Sequence, residues 1–358
     1  MSSYLILGGT GFIGRTFVDY LEREELASKI RVVDKKSPEM SNMSKEHEAM
    51  FENEALIEFV QADLSRDNML SKAFGGAKFE FVVNCAGENE FGLSDDVYEE
   101  KVVLVTEKCA KQADQMGAKF IQISDARIYK SASKPVAEDG NVKPSTKLAT
   151  AHLKAETILK GIPGLNYVIL RPSTVYGPGD RNGIMNRCVL AATYVYLKDT
   201  MKVPFNAKVI WSTVHVRDLA GAIQAATKAK SGEIYNVADS GNITLGEVNT
   251  ILESVFGIKV EFLSGAINLG LKAAVNVAAE VINDRHMKPW NDYCVQQKID
   301  GPILSPFLCP EILTDADQCI DGTKITKLDG FSYRYQKPNA GVVLESVNYF
   351  RKQGQFPK

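Results

Sequence analysis

Apolar positions in the first half of the chain switch between two periods. Apolar-rich runs of strand length occupy residues 4–7, 30–34, 57–61, 79–83, 119–124 and 167–171. Between them lie stretches with one apolar face at helical spacing. Residues 12–24 place Phe12, Ile13, Phe17 and Leu21 together, and residues 95–116 do the same with Val97, Val102, Val105 and Cys109. Residues 67–74 and 146–160 complete the helical set, and the polar stretch 36–53 is an excursion with a short helix near 45–52. Six alternations of strand and helix predict an α/β fold: a Rossmann-type, doubly wound parallel sheet with right-handed crossovers. The second half is less regular. Helices are expected over 183–201, 218–230 and 244–256, the last with Thr244 and Glu247 as a capping box. Strands are expected at 214–216, 233–237 and 259–262. Residues 265–282 form the most apolar long segment, interrupted by Lys272, Asn276 and Glu280. This pattern predicts a buried or amphipathic helix rather than a membrane span. The division expected is a nucleotide-binding domain over 1–180, to which later elements return, and a smaller C-terminal α/β substrate lobe with an extension over 181–358.

The first strand runs directly into Gly8-Gly9-Thr10-Gly11-Phe12-Ile13-Gly14. Strand, tight glycine turn and helix is the context of a dinucleotide site. Gly8 permits the turn, Gly11 lets a pyrophosphate approach the backbone, and Gly14 lets helix and strand pack closely. The helix start, with Phe12 and Ile13, offers oriented N–H groups and partial positive charge. Asp34 ends the second strand, twenty residues past Gly14. A carboxylate there accepts hydrogen bonds from the adenosine ribose and repels a 2′-phosphate, which predicts NAD over NADP. Asp63 and Leu64 follow the third strand, beside an adenine, and Cys85, Ala86 and Gly87 follow the fourth, passing under the cofactor.

Composition narrows the rest. The 358 residues carry a net charge of −2, 45% hydrophobic and 24% charged residues, which fits a globular protein with no basic field for nucleic acid or an anionic membrane. Six scattered cysteines without C-x-x-C, and no basic leader before the first strand, predict reduced thiols in a cytoplasmic setting. Four histidines in no ligand pattern give no case for a metal.

With GGTGFIG, Asp34, Asp63-Leu64, Asn84-Cys85-Ala86-Gly87, the segment from Leu170 through Pro172 to Asp180, and Val214-His215-Val216-Arg217-Asp218, the chain resembles the extended short-chain dehydrogenase/reductases. These are the NAD-dependent epimerase/dehydratase group, with sugar 4,6-dehydratases and 3β-hydroxysteroid dehydrogenases among them. The resemblance covers about residues 3–262. It implies bound NAD, a nucleotide sugar or sterol-like alcohol as substrate, and a homodimer built on helices 95–116 and 146–160. Its chemistry uses a Ser or Thr and a Tyr-x-x-x-Lys pair. Here those positions fall on Asp125, Leu148 and His152, and no tyrosine lies between Tyr129 and Tyr167. An arginine that often binds the nucleotide diphosphate is replaced near Trp211, with Arg181 or Arg187 as substitutes.

Three groups are therefore candidates for proton transfer. Asp125 is a strand-end base or a turn residue; His152 is a ribose-binding or acid–base group or a polar helix residue; Tyr129 is an acid or a packing residue. The expected function is an atypical oxidoreductase or epimerase, and the rival is a degenerate NAD-binding sensor or scaffold.

Overall fold

The computed structural model describes residues 1–313 and 316–358, with only the backbone at 271 and 272. In chain order the first half comprises β1 (Ser2–Leu7), α1 (Phe12–Arg23), β2 (Ala27–Asp34), α2 (Lys45–Ala49), β3 (Ile57–Gln61), α3 (Asp67–Phe74), β4 (Phe81–Asn84), α4 (Asp95–Tyr98), α5 (Val105–Met116), β5 (Lys119–Ile123), β6 (Ala132–Val136), α6 (Lys147–Lys160), β7 (Tyr167–Pro172) and β8 (Thr174–Tyr176). The second half comprises α7 (Ile184–Leu197), β9 (Met201–Val203), β10 (Thr213–His215), α8 (Val216–Ala226), β11 (Glu233–Val237), α9 (Leu245–Phe256), β12 (Val260–Phe262), α10 (Gly265–Ala273), α11 (Val275–Gln296), β13 (Gln318–Ile320) and α12 (Ala340–Lys352).

Seven strands form one parallel sheet in the order β11-β7-β5-β4-β1-β2-β3. Alternation along β1 shows how both faces are buried. Tyr4 and Ile6 pack with Phe17 and Leu21 of α1 and Ile223 of α8. Leu5 and Leu7 face the other way, onto Leu70 of α3, Cys109 of α5 and Leu159 of α6. The strand order reverses beside β1, so the crevice beyond the carboxyl ends of β1 and β4 is the place for a ligand. A second core, around Trp290 and Phe350, joins α7, α9, α11 and α12 in the C-terminal lobe. The chain is interwoven, since β11 and α8 come from beyond residue 180 and complete the sheet and its cover.

Several elements differ from their expected form. The 95–116 helix contains a π-helical segment, Glu99–Leu104, which pushes Val102 and Val103 into a small cluster with Tyr98, Leu148 and Ala151. The helix expected to reach residue 201 stops at Leu197, where Lys198 takes a left-handed conformation (φ 53°), and Met201 starts β9. The apolar segment 265–282 is not buried. It divides at Ala274 (φ −138°) into α10 and the start of α11, and Leu269, Val277 and Val281 are 71%, 61% and 65% exposed. Its period carries apolar residues on more faces than the lobe covers. Among the described residues no helix is long and apolar enough to cross a membrane.

Candidate functional site

The glycine turn sits at the switch point. Gly8 adopts φ +71°, and its N–H donates to the carbonyl of Val33 at 2.8 Å. A Cβ on Gly8 would lie 2.6 Å from the Ala86 nitrogen, so β1 and the β4 turn approach as closely as backbone allows. A Cβ on Gly14 would lie 2.6 Å from the Gly9 Cα, which closes α1 onto the turn. Gly11 caps α1 without a side chain, and the only atom within 4 Å of a Cβ placed there would be the Gly8 carbonyl oxygen at 3.1 Å. The first-turn N–H groups of α1, from Phe12, Ile13 and Gly14, therefore point from an uncapped helix start, an anion site in form and charge.

Polar neighbours fix this edge. Asp34 accepts the N–H of Thr10 at 3.2 Å and of Lys36 at 3.3 Å, which holds its carboxylate at the rim of the turn. Buried Asn84 donates to the Gln122 side-chain carbonyl at 2.8 Å and accepts the Ala86 N–H at 3.2 Å, so the Cys85-Ala86-Gly87 turn is pinned. Burial pushes the Cys85 thiol up to about 12, and it stays protonated. Asp63 accepts the N–H of Ser65 at 3.1 Å beside buried Leu64. These residues fit a dinucleotide: a cradle that a Cβ would fill, an uncapped helix start, and a carboxylate at ribose distance in sequence.

The strip after β5 carries the proton-transfer candidates. Ser124 donates to Glu156 of α6 at 2.7 Å, and Arg171 of β7 clamps both Glu156 oxygens at 2.9 and 2.6 Å. The Tyr129 hydroxyl lies in the same buried network, donating to Asn236 at 2.8 Å and accepting from Arg171. Asp125 caps a 3-10 turn: it accepts the Arg127 N–H at 2.7 Å and pairs with the Arg127 guanidinium at 3.4 Å. Leu148 is 4% exposed in the apolar cluster on the π segment. His152, one turn further along α6, differs from all of these. Its Nδ1 is buried with no partner among the described residues. Burial lowers its pKa, while the Asp125 and Glu156 charges push back up and Arg127 pushes down. Pro172 ends β7 opposite Val237 of β11, at the same carboxyl edge.

Between the lobes lies a cavity of about 310 Å³. Arg127, Thr146, Asn182, Arg187 and Lys202 line it, together with the apolar Val203, Phe205, Leu263 and Ile282. Asp180 builds the neighbouring corner. It is 3% exposed, and its carboxylate gathers the N–H groups of Asn182, Gly183 and Met185 at 3.0, 2.7 and 3.1 Å to start α7. Burial pushes its pKa up to about 6 against the pull of those donors. The Arg187 guanidinium lies 5.0 Å over the Trp211 ring, and the Trp211 N–H donates to Thr174 at 2.8 Å. Phe91, Tyr194, His286 and Glu311 also line the cavity. Sequence reasoning missed these four, because they come from a loop, two helices and an irregular segment that share no spacing. Among the described residues no cluster could hold a metal ion.

Known proteins resemble this arrangement. The sterol-4-alpha-carboxylate 3-dehydrogenase (decarboxylating) of Candida albicans is 26% identical over 189 residues, 51% of this chain and 53% of that protein. The chain thus matches about half the length of that relative. The UDP-glucose 4-epimerase of Mycolicibacterium smegmatis is 25% identical over 264 residues, 71% of this chain and 82% of that one. The solved UDP-glucuronic acid 4-epimerase from Bacillus cereus, in complex with UDP-glucuronic acid and NAD, superposes with TM-score 0.72 at 17% identity, covering 98% and 99% of the two chains. That likeness shows a shared fold. The profile of the NAD dependent epimerase/dehydratase family matches residues 4–238. With the glycine turn, the switch point and the rim carboxylate in place, this chain belongs to the NAD dependent epimerase/dehydratase family, whose cofactor is NAD.

Proposed function

We propose that this protein is an NAD-dependent oxidoreductase or epimerase that acts on a hydroxyl-bearing small molecule, with His152, which stands outside the wall of the interlobe cavity, as its proton carrier. One observation carries the proposal. Of the three candidates, Tyr129 and Asp125 are committed to neighbours, and His152 alone keeps a buried, unpartnered nitrogen. The phenol position is Leu148, which moves no proton. Lowered by burial, His152 is neutral near pH 7, and its free nitrogen accepts a hydroxyl proton. The carboxylates of Asp125 and Glu156 stabilise the cation that results.

NAD, when bound, supplies a hydride acceptor and donor. The chain does the rest. The α1 start holds a pyrophosphate, Asp34 accepts ribose hydroxyls and repels a 2′-phosphate, and the C-terminal lobe keeps water from the reacting carbon. A homodimer through the faces of α5 and α6 is part of the same reading. One feature favours a second reading, an NAD-binding sensor: Leu148 is buried in an apolar cluster where the acid would stand.

The test is turnover. Protein, NAD and a panel of nucleotide sugars and hydroxysteroids are mixed, and the absorbance of reduced nicotinamide or the epimer ratio is followed. His152→Ala should cut turnover by about 10²–10⁴-fold, the usual share of general acid–base catalysis. Undiminished turnover in that variant removes His152 from the reaction. NAD binding without turnover on any substrate favours the sensor. Asp34→Ala should weaken NAD and narrow its advantage over NADP; unchanged binding of both takes Asp34 out of the site.

A further inference from the structure

An exposed apolar surface on the C-terminal lobe takes no part in the chemistry of the site. In α10, Gly265, Ala266, Ile267, Leu269, Gly270 and Ala273 are all exposed. At about 100° per residue these positions sweep about 200° of the helix circumference, with no polar side chain among them. A surface helix that packs against one neighbour needs a stripe of about 100°. Asn268 stands outside the arc and ties α10 to the lobe. Its amide donates to the carbonyls of Phe205 and Leu263 at 2.9 and 3.0 Å, and its carbonyl accepts the Phe205 N–H at 2.9 Å. The apolar surface continues onto the first turns of α11, where exposed Val277 and Val281 stand one turn apart. Val281 reaches the wall of the interlobe cavity, so the surface ends at that wall.

Three features decide what covers this surface. Its width is the first. A groove in a partner protein takes one face of a helix through anchors at i, i+3, i+4 and i+7, whereas a fluid apolar phase closes round the whole arc. Its length is the second. Nine residues rise about 14 Å, half of the ~30 Å hydrocarbon core, so α10 is too short to cross a bilayer and long enough to lie in its surface. Its charge is the third. Lys259, Arg285 and Lys288 pair with Glu261, Asp199 and Asp292, and Lys272 is set against Glu280 and Asp284 in the same stretch. No cationic excess remains to draw anionic headgroups. We infer that α10, with Val277 and Val281, beds into the surface of a lipid bilayer by apolar contact alone, with Asn268 turned to its own protein. The gain comes from apolar area that leaves water.

Flotation of the full chain with phosphatidylcholine vesicles, at low and high salt, tests this, and light scattering without lipid reads the oligomeric state. Wild type should float with the vesicles, and to the same extent at both salt concentrations, because no screened charge is involved. Leu269→Glu should lower the partition coefficient about 10- to 100-fold, the worth of one buried leucine. That side chain is exposed, so the thermal unfolding midpoint should not move. Leu269→Trp should still float, and its emission should shift to the blue when vesicles are added. Val142→Glu, at an exposed apolar position away from α10 and α11, should float as wild type does. Wild type that stays at the bottom of the gradient overturns the inference. So does flotation that needs phosphatidylserine and is lost in salt, or a loss in Val142→Glu equal to that in Leu269→Glu. A wild-type dimer that Leu269→Glu dissociates, with neither protein floating, assigns the arc to a second copy and overturns it too. Neither NAD nor turnover enters these readings, so they stand or fall apart from the enzymatic proposal.

Discussion

The buried ion pair beneath α6 allows a direct test of how the site is held. Glu156 is fully buried and Arg171 is 2% exposed. Glu156 receives Ser124 and both Arg171 donors, and Arg171 also reaches the Tyr129 hydroxyl and the carbonyl of Glu138 at 3.0 Å. Glu156→Gln keeps the shape and removes the charge. It leaves Arg171 as a buried cation without a counter-charge, a change that costs about 3–5 kcal/mol. At ~2.1 cal/mol/K of unfolding entropy per residue, 358 residues give about 0.75 kcal/mol/K. The midpoint of thermal unfolding should then fall by about 4–7 °C. Arg171→Met strands the opposite charge, with Lys160 at 3.6 Å the one cation left paired to it among the described residues. The double variant should therefore be more stable than the sum of the singles implies, by about 2 kcal/mol or more. The acid side carries a further mark. Burial pushes the Glu156 pKa up, but the Arg171 hydrogen bond and charge and the Ser124 hydroxyl outweigh it and hold the carboxyl below its ordinary value of 4.5. A depressed carboxyl stabilises the fold above its unfolded pKa and loses that contribution as pH falls through the folded one. The gap between wild type and Glu156→Gln should accordingly shrink below pH 4.5. Urea melts of the four proteins across pH settle it. A single-variant loss under about 1 kcal/mol, or strict additivity, would refute the reasoning.

Two other perturbations probe the turn and the C-terminal lobe. Gly14→Ala places a Cβ 2.6 Å from the Gly9 Cα, so the turn must open; NAD affinity should collapse and stability drop by about 1–3 kcal/mol, and an unchanged calorimetric NAD titration would show room that the geometry denies. His286 is 5% exposed, and burial, with the nearby Arg285 charge, lowers its pKa from 6.5 to about 4. The neutral ring therefore stabilises the fold above pH 6.5, a contribution lost as pH falls toward 4. Relative to wild type, His286→Asn should gain up to about 3 kcal/mol over that span, and a constant difference across it would mean that the ring titrates as in the unfolded chain.

The nucleotide-binding half was legible because its signals are local. A strand that is apolar on both faces, a glycine turn and an amphipathic helix need no distant partner to be recognised. Glu233–Val237 was likewise visible as a strand, though only its pairing with β7 made it the sheet's edge. The parts that escaped depend on contacts far apart in sequence. β6 is held by β13, with Gln318 opposite Ala132, and neither has the length or period of a strand that stands alone. The exposure of Leu269 and Val277 could not be read from a segment that looks apolar on all sides. The cavity wall draws Phe91, Arg187, Phe205 and Glu311 from four unrelated stretches. An arginine missing near Trp211 was legible, with Arg181 and Arg187 both offered as substitutes, but the placement of the Arg187 guanidinium 5.0 Å over the Trp211 ring is a tertiary fact.

What the site leaves unsatisfied bears on whether it still works. The buried His152 nitrogen, without a partner among the described residues, costs stability, about 1–3 kcal/mol for a buried polar group left unpaired, and the uncapped α1 start and the half-buried Arg187 guanidinium leave further donors without acceptors. Such costs are removed easily. A capping serine at Gly11, a leucine at His152 or a methionine at Arg187 would relieve each, as Leu148 already shows for the phenol position. A scaffold that keeps NAD only for stability has reason to retain the first of these, since tight ligand binding adds several kcal/mol to a fold. It has no use for the other two. A neutral base one turn beyond Leu148 makes sense where a second molecule brings a hydroxyl proton. On the proposed reading, the loss of the phenol marks a change in which side chain moves the proton, and the turnover assay with His152→Ala decides between that reading and the sensor.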